Sequence, residues 1–175
     1  MKIQIVHPNK GQRYFTKFIA LILFILSISG CAVQLAPTYN KDIVTGITVA
    51  NKDALEFLSS VDAGTTQSTF ANRKDKYDKL IGAFESISTQ IKTRPIPSNK
   101  VKDKVNELLS KRGVQTLADA DYPSQSAIDE VTKNLRKMKE KDSTNDIARP
   151  AIDIFKSAIN ISIDQALTYE NFLER

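Results

Sequence analysis

Along most of this chain, apolar residues recur at alternating threes and fours, the spacing of one face of an α-helix. Ile43, Ile47, Ala50, Ala54, Phe57, Leu58 and Val61 form the first such stripe and predict a helix over residues 40–61. Phe70, Tyr77, Leu80, Phe84, Ile87 and Ile91 form a second, over 66–92. Between them Asp62-Ala63-Gly64-Thr65 reads as a tight connection. Gly64 suits a left-handed C-terminal cap there, and Thr65 or Thr66 an N-cap for the next helix. A link this short predicts antiparallel neighbours. Arg94-Pro95-Ile96-Pro97 stops the second helix, because each proline lacks an amide donor and restricts the residue before it. Ser98 then opens a short helix to about Arg112 carrying Val101, Val105, Leu108 and Leu109, with Gly113 as its stop.

Residues 113–123 read as a loop. Ser126-Ala127-Ile128-Asp129 resembles a capping box before the stripe Ile128, Val131, Leu135 and Met138. Pro150 is acceptable only in a first helical turn, so the last helix is expected to begin at 147–149. That helix is apolar over more than half its circumference, through Ile154, Ile159, Ile163, Ala166 and Leu173 among others, which predicts several packing partners. No repeat and no sustained strand alternation interrupts the pattern. The expected fold is all-α: an antiparallel bundle of four long helices plus one short one, in a single domain over 40–175. Gly46 and Gly82 fall inside predicted helices, where close helix approach is their expected use. Asn51 and Gln165 fall on or beside apolar stripes and are expected to set helix register by buried hydrogen bonds. Tyr39, Tyr77, Tyr122 and Tyr169 read as boundary residues.

The N-terminal pattern is different. Residues 18–26 are uninterruptedly apolar, the charged residues before them (Lys2, Lys10, Arg13, Lys17) are all basic, and Ile28-Ser29-Gly30-Cys31 closes the run. Basic start, short apolar middle and small residues at the end are the plan of a secretory signal peptide. The ending resembles the lipobox of bacterial lipoproteins, in which an aliphatic residue, two small residues and a cysteine direct acylation of the sulfur and cleavage before it. That resemblance implies residues 1–30 as signal peptide, cleavage between Gly30 and Cys31, a lipidated Cys31, and a tether over 31–39. It implies an address in the bacterial envelope; Ala32 after the cysteine resembles the outer-membrane sorting signal of Gram-negative lipoproteins, facing the periplasm. The competing reading is an uncleaved anchor over 18–36, close to the roughly 20 residues a membrane span needs but diluted by Ser27, Ser29, Gly30 and Gln34. The start at 36–40 and the tail at 164–175 are similar to small all-helical envelope lipoproteins without an assigned activity.

Composition changes the picture in three ways. The precursor carries 25 basic against 20 acidic side chains, but four basic residues and no acid lie within 1–30, so the remaining 145 residues are nearly neutral and give no bulk attraction to nucleic acid. Cys31 is the single cysteine, so no intramolecular disulfide forms. The single histidine, His7, lies in the leader, which leaves the body without imidazole, thiol or Trp. Triads, di-iron Glu-x-x-His pairs and zinc sites all need those groups, so no catalytic residue, metal ligand or cofactor is expected.

Two other readings stay open. Asp119 with Asp121, or Asp129 with Glu130, could serve a carboxylate-based envelope hydrolase if a cleft gathers them. Residues 92–112 hold seven basic side chains against two acids, and 131–141 five against one. Lys100, Lys102, Lys104, Lys133, Lys137 and Lys139 are therefore candidate contacts for an anionic lipid or glycan, the plainer alternative being a solvated face with local partners. The leading expectation is a membrane-anchored, non-enzymatic envelope protein that binds, scaffolds or protects through its helix faces, with an envelope protein as partner.

Overall fold

A computed structural model describes residues 36–117 and 122–174, and this body is mostly helical. Cys31, Gly30, Asp119 and Asp121 lie outside the described residues. Helix α1 (Lys41–Ser60) starts where expected: the Asn40 side-chain oxygen accepts from the amides of Asp42 (2.9 Å) and Ile43 (3.4 Å), satisfying two of the free donors of the first turn. Its stripe from Ile43 to Leu58 is buried as read.

The next connection departs from the expectation. Gly64 has φ +106°, and with Thr65 it forms a two-residue strand β1 paired antiparallel with β2 (Ile147–Ala148). A Cβ on Gly64 would lie 2.7 Å from the Ile147 carbonyl oxygen. Conformation and space thus both demand glycine. Gly64→Ala should lower stability by about 2–3 kcal/mol, the cost of one forced backbone conformation, read as an earlier urea midpoint with unchanged slope. Neither Thr65 nor Thr66 caps the next helix. Thr65 donates instead to Asp142 (2.5 Å), the Gln67 amide donates to Asp146 (2.8 Å), and a 3₁₀ turn at Gln67–Thr69 delays α2 to Ala71–Lys92.

Helix α3 (Asn99–Lys111) closes with two nested bonds, Gly113 amide to Ser110 carbonyl and Val114 amide to Leu109 carbonyl, each 3.0 Å, around Gly113 at φ +70°. This is the Schellman arrangement, with Val114 packed back on the cluster that holds Leu109. Helix α4 (Pro123–Thr144) begins three residues before Ser126, with Pro123 in its first turn. The Ser126 amide already bonds the Tyr122 carbonyl (2.9 Å), so the expected capping box does not form. Asp129 reaches across to Ser88 on α2 instead (2.6 Å). Helix α5 (Arg149–Phe172) carries Pro150 in its first turn, as expected.

Helix α1 packs on α2 and α5, and α4 packs on the same two; α3 leans on α5. The main core gathers Ile47, Phe57, Phe84, Ile128, Leu135 and Ile159 with their neighbours. Val105 and Leu109 of α3 join Leu117 and Tyr169 in a separate cluster. Gly46 sits where an added Cβ would make ordinary contact with Ile87, 3.5 Å away. Gly82 is exposed and faces nothing within 4 Å, so close helix approach does not explain it. Tyr77 and Tyr169 are 0% and 1% exposed, core residues rather than boundary ones, and they belong to different cores. Gln165 donates to the carbonyls of Gln115 (2.7 Å) and Thr116 (3.1 Å): it fastens a loop to α5 and does not set helix register.

Candidate functional site

Helix α2 has an arginine at each end, and each forks a carboxylate that is fully buried. In its first turn, Arg73 donates through Nε to Asp142 Oδ2 (2.7 Å) and through Nη2 to Oδ1 (2.8 Å), while Thr65 donates to the same Oδ1. Just past its last turn, Arg94 donates through Nη1 to Glu170 Oε2 (2.8 Å) and through Nη2 to Oε1 (2.5 Å), and Ser124 adds a third bond to Oε1 (2.5 Å). Ser124 and Asp142 are 18 residues apart on α4, about 27 Å along its axis at 1.5 Å per residue. The two arginine–carboxylate–hydroxyl groups therefore pin opposite ends of α4.

The planar guanidinium matches a carboxylate in two parallel bonds, and a charge out of water must be satisfied in this way. Hydrogen bonding to Asp142 holds the Arg73 guanidinium above its ordinary pKa. Beside each group lies a buried tyrosine hydroxyl, Tyr77 near Asp142 and Tyr169 near Glu170. Burial, and secondarily the neighbouring carboxylate, pushes both phenols well above the ordinary value of 10.0. The unfolded chain gives up these protons first, so the fold weakens as pH climbs past about 10. Among the described residues, Arg94 Nε and the Ser98 hydroxyl are buried without a hydrogen-bond partner.

Asp142 and Glu170 have both oxygens occupied by donors. A general base must reach the proton it takes, and both carboxylates are 0% exposed and each is held by an arginine fork and a hydroxyl. The acids singled out from the sequence are also engaged: Asp129 accepts from Ser88 and Gln125, and Glu130 from Lys133 (2.7 Å). A groove of about 570 Å³ near them runs between α4, α5 and the 115–117 segment, and among the described residues that line it Glu130 is the one carboxylate.

The six candidate lysines divide between two settings. Lys104 bonds Glu107 (3.1 Å), Lys133 bonds Glu130, and Lys139 bonds Asp78 on α2; Lys100 and Lys137 are exposed, and Lys102 is half-buried. The donors of Lys139 and Lys74 hold the Asp78 carboxyl down at about 2. Its contribution is therefore complete at neutral pH and is lost only as pH falls toward that value. The α3 lysines ride on a helix packed against α5, whereas Lys139, with Arg136 bonded to Glu85, faces α2. The structure thus gives the two basic segments different neighbours.

Several features of this site could not be read locally. Asp142 continues the stripe Leu135, Met138 by one more turn, and Glu170 continues Ile163, Ala166 in the same way. A carboxylate in register with an apolar stripe is the signal that could have marked both. Among the described residues no helix is long and apolar enough to cross a membrane.

No family model, curated protein or solved structure matches this chain. The functional reading therefore rests on the residues themselves.

Proposed function

We propose that this chain is a lipid-anchored protein of the bacterial envelope, acylated at Cys31 after removal of residues 1–30, that works through its helix faces and not by catalysis. The observation that carries the reading is Ile28-Ser29-Gly30-Cys31 closing an apolar run after an all-basic leader. Two acyl chains hold a protein at a bilayer essentially for good, at about 0.8 kcal/mol per buried CH₂. The body is proposed as an antiparallel bundle of the four long helices. Supporting this, Gly46 lies beside Ile87 and Asp53 beside Lys79, Asp78 meets Lys139 and Ser88 meets Asp129, and Ser124 meets Glu170. On α1–α2 and α2–α4, rising numbers on one partner meet falling numbers on the other, and the Ser124–Glu170 contact sets the start of α4 against the end of α5.

A non-enzymatic role is supported by the burial of the two deepest carboxylates, each 0% exposed and held by an arginine fork and a hydroxyl. A protein partner is supported by Ile154 and Ile161, which stay 70% and 38% exposed on the same side of α5 although that helix already touches α1, α3 and α4. The proposed site is the outer membrane, facing the periplasm. Replacing Cys31 by Ser should abolish both the acylation and the removal of residues 1–30, read as intact mass on the extracted chain. A Cys31→Ser chain that still loses residues 1–30 and still gains acyl mass would contradict the anchor.

A further inference from the structure

We infer that α3 is a membrane-contact helix, its lysines meeting the phosphates of anionic lipid headgroups in the bilayer to which Cys31 is anchored. The inference rests on the proposed anchor and adds which surface of the body meets the membrane. Gly46 beside Ile87 places the start of α1, five residues earlier, level with the end of α2, five residues later. Just past that end, Arg94 grips Glu170 near the end of α5, and α3 packs there through Val105, Leu109, Tyr169 and Phe172. The start of α1 and α3 therefore share one end of the body. From Asn40 back to Cys31 the chain can extend at most roughly 30 Å, at 3.3–3.6 Å per residue. The tether joins the body at this end, and the β1–β2 end lies roughly 30 Å farther along the 20 residues of α1.

Charge selects the partner. Residues 99–112 carry five basic side chains against two acids. Lys104 and Lys111 share the single carboxylate of Glu107 and remain 69% and 66% exposed, and Lys100 is exposed. Exposed pairs of this kind hold weakly and exchange readily for phosphate oxygens. The apolar side of α3 is already spent on the small cluster with α5, so the contact is electrostatic and superficial rather than inserted. The basic residues of α4 lie elsewhere: Lys137 is 13 residues along α4 from Ser124, about 20 Å from this end.

The test uses the mature lipidated chain, in which acylation removes the natural thiol, with one cysteine introduced at exposed Ser110 on α3 or at Lys137 on α4 and labelled with a fluorophore. Each is reconstituted in phosphatidylcholine vesicles with or without phosphatidylglycerol, both carrying a headgroup-level quencher. The expected result is strong quenching of the Ser110→Cys label in the anionic vesicles, weak quenching at Lys137→Cys, and loss of the Ser110→Cys quenching in high salt while the lipid keeps the chain on the vesicle. Changing Lys100, Lys104 and Lys111 to Gln should abolish that quenching and leave the helical circular dichroism unchanged. Equal quenching at the two positions, or equal quenching in neutral and anionic vesicles, overturns the inference. If mass analysis finds no acyl chain on Cys31, the anchor fails by itself. The labelled chain with Cys31→Ser is then added to the same vesicles at low salt, where quenching at Ser110→Cys sustains the α3 surface and its absence overturns it.

Discussion

Truncating Glu170 to alanine should lower stability by about 3–5 kcal/mol, because it strands the Arg94 guanidinium in a site that is 10% exposed and leaves Ser124 without its acceptor. In a body of this size that is on the order of 10–20 °C in the melting midpoint. The size of the loss comes from the orphaned charge more than from the pair itself. Replacing both partners, Arg94→Met with Glu170→Leu, should accordingly recover most of what Glu170→Ala loses. Urea unfolding of the two single variants and the double variant separates these terms. A double variant no better than Glu170→Ala would show that the ion pair and not desolvation dominates. As an internal control, Glu107→Gln breaks an exposed pair on α3 and should leave the urea midpoint almost unchanged.

The other end of α4 carries the second large effect. Asp142→Ala should also cost about 3–5 kcal/mol, since Arg73, 13% exposed, loses its fork and Thr65 loses its acceptor. Its local consequence differs from that of Glu170. Thr65 belongs to β1, and Arg73 further donates to the Thr66 carbonyl (2.9 Å) and the Thr69 hydroxyl (2.7 Å), so Asp142 organises the whole connection from α1 to α2. Hydrogen exchange of Asp142→Ala should therefore speed up at 64–70 and 147–148 before it does so at the Glu170 end. Uniform acceleration along the chain would contradict that division.

How much of this was legible in the sequence depended on whether the information was local. The stripes of α1 and α2 are repeated every three or four residues and place the core correctly, whereas on α5 Ile159, Ile163 and Ala166 are buried as read but Ile154 stays 70% exposed. The Gly113 stop and the position of Pro150 follow from backbone limits that any neighbour must respect. The missed features all depend on distant partners. Ser126-x-x-Asp129 has the form of a cap, yet Pro123 starts the helix earlier and Asp129 is drawn to Ser88, 41 residues away. Gly64 was read as a cap, and its actual constraint is the Ile147 carbonyl against which it packs. A two-residue strand pair is too short to leave any alternation in the pattern. Arg73 and Arg94 sit 69 and 76 residues from their carboxylates, so no window of the sequence contains both members of either pair. Their burial was hidden because charge ordinarily reads as solvent exposure.

The candidate site was legible to a different degree. The lysines of 92–112 and 131–141 were identified by charge alone, and only the packing of α3 on α5 separates them into two surfaces. The absence of imidazole and thiol from residues 32–175 is plain from composition. The role proposed for Cys31 comes from the residues around it in the sequence, and Cys31 lies outside the described residues.

Intact-mass measurement on the chain extracted from native membranes tests this account most directly. The mass expected is that of residues 31–175 plus acyl groups on the first residue, with the acyl increment mapped to the N-terminal peptide. A full-length, unmodified chain, or a processed chain whose Cys31 carries no lipid, would contradict it.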